Sequence, residues 1–357
     1  MLDGRELKQR EWEARYGSWC IGRPDISPGS ARTNRSGVVR ALVTGVGGFI
    51  GSHLVERLVS VGWEVLGVDR LAHDDPPQRR ANLAELGCLS GFSLVDGDLR
   101  SMDLSPVLDQ VQVVFHQAGL PGVRGSWDDF GSYVEHNILV TQRLLDAARS
   151  HAIERFVYAS SSSVYGDALT YPTLEDARPI PKSPYGVTKL AAEHLCGVYA
   201  RNFDVPTVSL RYFTVYGPRQ RPDMAMHRLV EAAVGTQPFP MYGDGSQIRD
   251  FTFVADVVDA NLAAATAPGV PPGTVVNVAG AGNITLAEVV EMVGRLAGRP
   301  VRLNRLPAQP GDVDRTSGDI SAARRILGWA PTTALPEGLE RQVEWHMSRR
   351  AILAQSA

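Results

Sequence analysis

The sequence predicts an α/β fold: a doubly wound parallel sheet with helices on both faces, followed by a smaller C-terminal lobe. Three observations lead there. Apolar strand-like runs alternate with helical runs from Arg40 to Arg211. The first strand runs into glycines spaced three apart, Gly45, Gly48 and Gly51, and then into a helix with apolar positions Leu54, Leu58 and Val61. From Thr214 the texture changes, with dense proline and glycine (Gly217-Pro218, Pro222, Pro238, Pro240, Gly243, Gly245) and shorter elements.

The chain has 357 residues, 44% hydrophobic and 21% charged, the composition of a soluble globular protein with a large core. A net charge of −3 gives no bulk electrostatic reason to bind nucleic acid. Cys20, Cys88 and Cys196 form no CxxC pair, so neither a disulfide framework nor a zinc motif is expected. No apolar run reaches the roughly 18 residues of a membrane span, and no signal-peptide pattern opens the chain. A cytoplasmic location is the expectation. Residues 1–37 form a polar extension, with a short helix over Glu6–Tyr16 and a Pro/Gly/Ser-rich connector; a loosely docked arm, a lid or a dimer contact all fit. The expected layout is an extension (1–37), a dinucleotide domain (38–213), a lobe with segments returning to the sheet (214–345) and a tail (346–357).

Taken in order, strand Arg40–Thr44 leads to a glycine turn that lets backbone approach a pyrophosphate, with the helix N-terminus supplying free N–H groups. The GxxGxxG spacing alone also fits an ordinary loop. The second strand, Glu64–Asp69, ends in a carboxylate placed to meet the adenosine ribose hydroxyls of NAD and to repel a 2′-phosphate. Arg70 follows and is positioned to stack on adenine or to stay solvated. Phe92–Val95 is a third strand, running towards Asp98-Leu99, and Val111–His116 a fourth, running into Gln117-Ala118. A long helix covers about Tyr133–His151. Arg155–Ala159 is a fifth strand ending in the serines Ser160–Ser163; a helix spans about Tyr185–Asn202, and Thr207–Arg211 is the sixth strand. This is a Rossmann-type order.

Tyr185 and Lys189 stand at i and i+4, one face of a helix. An ammonium near a phenol favours phenolate, and such a tyrosine takes a proton from a sugar hydroxyl while hydride leaves the same carbon. Taken singly, the pair also suits an ordinary helix surface. The serine run at the end of strand five reads as a solvated turn or as a source of one hydroxyl that binds the reacting oxygen.

In this order, TGVGGFIGSHL, Asp69, GDL, YASSSSVYG, YGVTK, LRYFTVYGPRQRPDM and RDFTFVADV resemble the extended short-chain dehydrogenase/reductase family, in its nucleotide-sugar epimerase/dehydratase branch. The resemblance covers about residues 40–345. It implies tightly held NAD, contacted by Gly45, Gly48, Phe49, Ile50, Gly51, Asp69, Arg70, Asp98, Leu99, Ala118, Tyr185 and Lys189. It implies a catalytic trio of Ser161, Tyr185 and Lys189, with Ser162 as the neighbouring candidate and Asn137 in support.

Branch members that dehydrate hexoses carry an Asp-Glu pair after the catalytic serine, and decarboxylating members carry a Glu just before Val-Tyr-Gly. This chain has Ser162 and Ser163. Reversible oxidation at one carbon, a 4-epimerisation of a UDP-sugar through a 4-keto intermediate, is what the resemblance then implies. Thr214 and Arg221 resemble the corresponding positions of UDP-glucuronate 4-epimerases, and read physically as a carboxylate clamp, with a phosphate contact the other reading of Arg221. Arg219 is expected on phosphate, Arg249 on the diphosphate, Met241 and Tyr242 along the uridine, and Asp312 on its ribose. The expected reaction is UDP-glucuronate to UDP-galacturonate. The rivals are a UDP-glucose/UDP-galactose or N-acetylhexosamine 4-epimerase, a decarboxylase or dehydratase, a one-way reductase or dehydrogenase, and a catalytically silent NAD-binding protein. A homodimer through the two long helices follows from the resemblance, with no metal.

Overall fold

The structure, a computed structural model, describes residues 38–72, 75–280, 282–307 and 313–355. The expected helix at Glu6–Tyr16, the rest of the extension and Asp312 lie outside them. Strand β1 (Arg40–Thr44) leads into α1 (Phe49–Ser60), β2 (Glu64–Asp69), α2 (Pro77–Leu86), β3 (Phe92–Asp96) and β4 (Val113–His116). A helical run follows, from Phe130–Tyr133 through a π-helical stretch, Val134–Leu139, into α3 (Val140–Ala148). Then come β5 (Arg155–Ser161), α4 (Pro184–Phe203) and β6 (Thr207–Tyr212). The later part holds β7 (Thr214–Tyr216), α5 (Ala225–Val234), β8 (Phe239–Tyr242), β9 (Ile248–Arg249), β10 (Phe251–Phe253), α6 (Val254–Thr266) and β11 (Thr274–Val278). It closes with β12 (Ile284–Thr285), α7 (Leu286–Leu296), β13 (Leu303–Leu306), α8 (Ser321–Leu327) and α9 (Leu335–Gln355).

Seven strands form one parallel sheet in the order β11-β6-β5-β4-β1-β2-β3. β4 and β6 are buried at every residue, the pattern of a strand covered on both faces. One core cluster joins α1, the sheet and the later lobe; a second packs α3 and α4 on the other face. The lobe is made of three two-stranded pairings, β7–β10, β9–β12 and β8–β13, which stand clear of the main sheet. The expected tail from 346 is instead the second half of α9, which runs unbroken to Gln355.

A buried network fixes β5, α4 and β6 to one another. Arg211 forms a two-point ion pair with Glu193 (3.0 and 2.6 Å), and Glu193 also accepts the Ser160 hydroxyl at 2.6 Å. Arg211 donates to the Tyr165 hydroxyl, which donates to Asn277. Both charges of the pair are buried, so removing one partner would cost about 3–5 kcal/mol.

Candidate active site

The sheet order reverses between β1 and β4, and a cavity of about 1060 Å³ opens beyond the strand ends, walled on its far side by the later lobe. Its first wall is backbone. Gly45 has φ of 74°, and a Cβ there would lie 2.9 Å from Ala118. A Cβ on Gly51 would lie 2.2 Å from the Gly45 carbonyl oxygen, so α1 starts hard against the turn. α1 has no side-chain cap and no acid in its first turn, which leaves its positive end for an anion. Gly48, Phe49, Ile50, Leu99 and Ala118 complete this part of the lining.

Asp69 closes β2. Its carboxylate accepts the Gly47 N–H at 2.7 Å and Arg79 at 2.6 Å. Burial raises its pKa, while Arg79 and the Gly47 amide pull the other way. Arg79 on α2 is shared with the buried Asp75, and the sequence offers nothing to mark it out from any other helix arginine. Arg70 is exposed at the rim, and Asp98 is held by Arg100, whose hydrogen bond lowers its carboxyl to about 2.

Beneath the turn runs a directed chain. The Ala118 N–H donates to Thr44 Oγ1 (3.1 Å), which meets His116 Nδ1 (2.9 Å). His116 Nε2 meets Thr141 Oγ1 (3.0 Å), which donates to the Asn137 carbonyl (2.7 Å). The two ends fix the direction: His116 carries its hydrogen on Nε2. Burial, helped by the Lys189 charge, pushes its pKa down to about 3, so the ring is neutral. The Asn137 side chain in turn accepts from Leu120 N (2.6 Å) and donates to Leu120 O and Thr188, pinning the loop after β4 to α4. Asn137 sits in the π-helical stretch, a local deformation that recurs at functional sites.

At the reaction end, β5 stops at Ser161, whose Oγ accepts the Ser163 N–H at 3.1 Å and so caps the turn Ser162–Val164. Ser183 caps α4 with Pro184 next to it, which places Tyr185 on the first turn and Lys189 one turn deeper. Ser161 and Tyr185 line the same end of the cavity. Burial raises the Tyr185 pKa, opposed by the Ser161 hydroxyl and by the charge of Arg221. The expected lowering by Lys189 is not part of the balance. Lys189 instead donates to the Ala159 carbonyl at 2.8 Å, and burial lowers its own pKa to about 8.

The lobe brings Thr214, Arg221, Tyr242 and Arg249 to the same cavity. Arg221 makes two bonds to Asp223, at 3.0 and 2.8 Å. Arg249 donates to the Ile248 carbonyl at 2.9 Å, and Arg124 lies 4.0 Å above the Tyr242 ring. Two expected contacts fall elsewhere. Arg219 is paired with Glu56 of α1 and Glu85 of α2, outside the cavity lining, where it docks the lobe onto the dinucleotide domain. The Met241 side chain is buried in the core, because β8 alternates and its inward positions are Phe239 and Met241. Arg79, Arg124 and His116 carry no local sequence signal, because only the tertiary fold brings the two arginines to the cavity lining and His116 beneath it.

Residues 41–279 match the model of the NAD dependent epimerase/dehydratase family. The chain belongs to that family. Among similar members, an uncharacterised UDP-glucose epimerase, YtcB, of Bacillus subtilis (strain 168) is 42% identical over 86% of this chain and 98% of its own. The crystal structure of UDP-glucuronic acid 4-epimerase from Bacillus cereus, in complex with UDP-glucuronic acid and NAD, is 41% identical with a TM-score of 0.84, covering 87% of this chain and all of that one. MoeE5 in complex with UDP-glucuronic acid and NAD is 43% identical, TM-score 0.79, covering 87% of this chain and 99% of that one.

Proposed function

We propose that this epimerase-family enzyme interconverts UDP-glucuronate and UDP-galacturonate by inverting C4, with NAD held throughout the cycle. The observation that carries the uronate reading is Arg221, which lines the reaction end and acts electrostatically on Tyr185, with Thr214 in the same wall. The relatives whose complexes hold UDP-glucuronic acid and NAD support it. The glycine turn, the uncapped start of α1 and the Asp69 carboxylate fit a dinucleotide with free ribose hydroxyls.

Gly45, Gly48, Ile50, Asp69 and Ala118 would hold NAD, which would supply a reversible hydride acceptor for the sugar C4 position. Tyr185 takes the C4 hydroxyl proton and gives it back, and Ser161 holds that oxygen by its hydroxyl. Lys189 lies one turn deeper in the same lining, anchored by the Ala159 carbonyl. Arg249 supports the diphosphate and Tyr242 the uridine, so the UDP stays fixed while the 4-keto sugar turns to present its other face. Arg221 and Thr214 grip the C5 carboxylate away from the alignment with the ketone that loss of CO₂ requires. Ser162 and Ser163 stand where elimination would need carboxylates. Among the described residues at this end of the lining, the carboxylate is Asp223, already bound to Arg221.

The name of the Bacillus subtilis relative favours a second reading, UDP-glucose/UDP-galactose. Proton NMR of the products from UDP-glucuronate and UDP-glucose separates the two. UDP-galacturonate at the higher kcat/KM supports the uronate reading, equal efficiency removes it, and a pentose with CO₂ makes the enzyme a decarboxylase. A homodimer through α3 and α4 is our further reading, supported by exposed Leu139, Val187 and Val198 on or beside those helices; light scattering of a monomer would end it.

A further inference from the structure

Arg221 faces the sugar, yet its own hydrogen bonds, both to Asp223, stay within one loop. They fix the shape of the side chain and leave its place in the cavity to whatever holds residues 217–220. Two sets of contacts hold them. From the dinucleotide domain, His53 of α1 donates from Nε2 to the Pro218 carbonyl at 3.0 Å, and Arg219 pairs with Glu56 and Glu85, whose side chains reach solvent. From the other side comes α9, which contributes Gln342 from outside the cavity lining. The Gly217 N–H donates to Gln342 Oε1 at 3.1 Å. Gln342 Nε2 donates to Gln220 Oε1 at 3.2 Å, and Gln220 Nε2 donates to the Val215 carbonyl at 2.8 Å. The backbone groups at the two ends settle the direction, since an N–H only donates and a carbonyl only accepts. Both glutamines are buried. The Gln220 carbonyl also accepts from His227 Nδ1 at 2.7 Å, which ties the loop to α5.

A buried amide is costly unless its polar atoms are paired, and two apolar side chains would fill the same space without that demand. Here each of the four amide atoms has a partner, so the pair specifies one geometry. We propose that Gln342 and Gln220 are positioning residues for Arg221: they hold the end of β7 and the start of the loop, and so aim the guanidinium at the substrate. Arg221 directly follows Gln220, with no hinge between them. A guanidinium stands at the end of a long side chain, so a small tilt of the backbone becomes a large shift at the tip. A binding group has to be held to within roughly 0.5 Å. The Asp223 contact exchanges with substrate while the backbone beneath stays still. In this way α9 acts on the choice of sugar without touching a ligand. The inference rests on the reading that Arg221 contacts the UDP-sugar.

The test is a double-mutant cycle on the full NAD-loaded chain, with steady-state kinetics on UDP-glucuronate and UDP-glucose. Gln342→Met, a change of similar volume, should raise KM for UDP-glucuronate by about 5- to 10-fold and leave kcat within about twofold. In an Arg221→Met background the same change should add less than about twofold. Gln220→Met should behave alike, and it takes over the cycle if circular dichroism and bound NAD show that Gln342→Met does not fold. An unchanged KM in a folded variant, or a loss repeated in full in the Arg221→Met background, overturns the inference. A merely structural pair adds its cost whether or not the guanidinium is there. An Arg221→Met loss equal on both sugars removes the uronate reading instead, and the cycle still reports whether Gln342 acts through Arg221.

Discussion

The two ends of the cavity are built by different means. At the dinucleotide end the work is done by backbone: Gly45 against Ala118, Gly51 against Gly45, and an α1 start with no cap of its own. The side chains there, Asp69 and Thr44, are locked by Gly47, Arg79 and His116. At the sugar end the work is done by side chains on short strands and loops, and Arg221 is engaged with Asp223, a group of its own chain. One end is preformed for a cofactor that stays. The other trades contacts each time a sugar arrives and turns.

If that contrast holds, a methyl group at the first end should do more damage than a lost charge at the second. Gly51→Ala puts its Cβ against a backbone oxygen that has no rotamer to give. The expected result is a folded or partly folded protein that elutes without NAD and has only background activity. NAD released by denaturation, measured beside circular dichroism, is the check; full NAD content would show that the turn yields, and the contrast would fail.

Tyr185→Phe is next in size. It deletes the group that moves the proton and leaves the glycine turn untouched, so kcat should fall by about 10²–10⁴ with NAD retained. Loss of NAD in this variant would mean that the reaction end also holds the cofactor, blurring the line between the ends.

The same division explains what the sequence made legible. The turn at Gly45–Gly51, the strand ending in Asp69 and the Tyr185/Lys189 pair are local, because spacing along one strand, turn or helix already fixes their geometry. The lobe was harder. Arg219 and Arg221 sit two apart in one loop, yet a φ of 63° at Arg219 sends its side chain to Glu56 and Glu85 while Arg221 faces the cavity. Met241 and Tyr242 split between core and cavity through strand alternation that a Pro-rich stretch conceals. Arg79 and His116 carry no signal at all, since their roles exist only once α2 lies beside Asp69 and β4 beside β1.

Arg221→Met sharpens the contrast at the sugar end. Losing a two-point contact to the substrate carboxylate should cost about 2–3 kcal/mol, about 30- to 150-fold in kcat/KM for UDP-glucuronate. UDP-glucose, which has no carboxylate, should change little. Steady-state kinetics with both sugars is the measurement, and an equal loss on both would assign Arg221 to the diphosphate.

Asp223→Asn should have the smallest effect, and its sign is the informative part. In the free enzyme Asp223 occupies Arg221, and a substrate carboxylate must take that place. The pair is partly exposed, with side chains 33% and 63% accessible, so it is worth at most about 1 kcal/mol. Weakening it should lower KM for UDP-glucuronate by up to about fivefold, leaving kcat and the kinetics on UDP-glucose unchanged. A rise in KM would instead make Asp223 a positioning group that aims the guanidinium. The sugar end would then be as preformed as the dinucleotide end, with the same logic of locked side chains that Arg79 gives to Asp69.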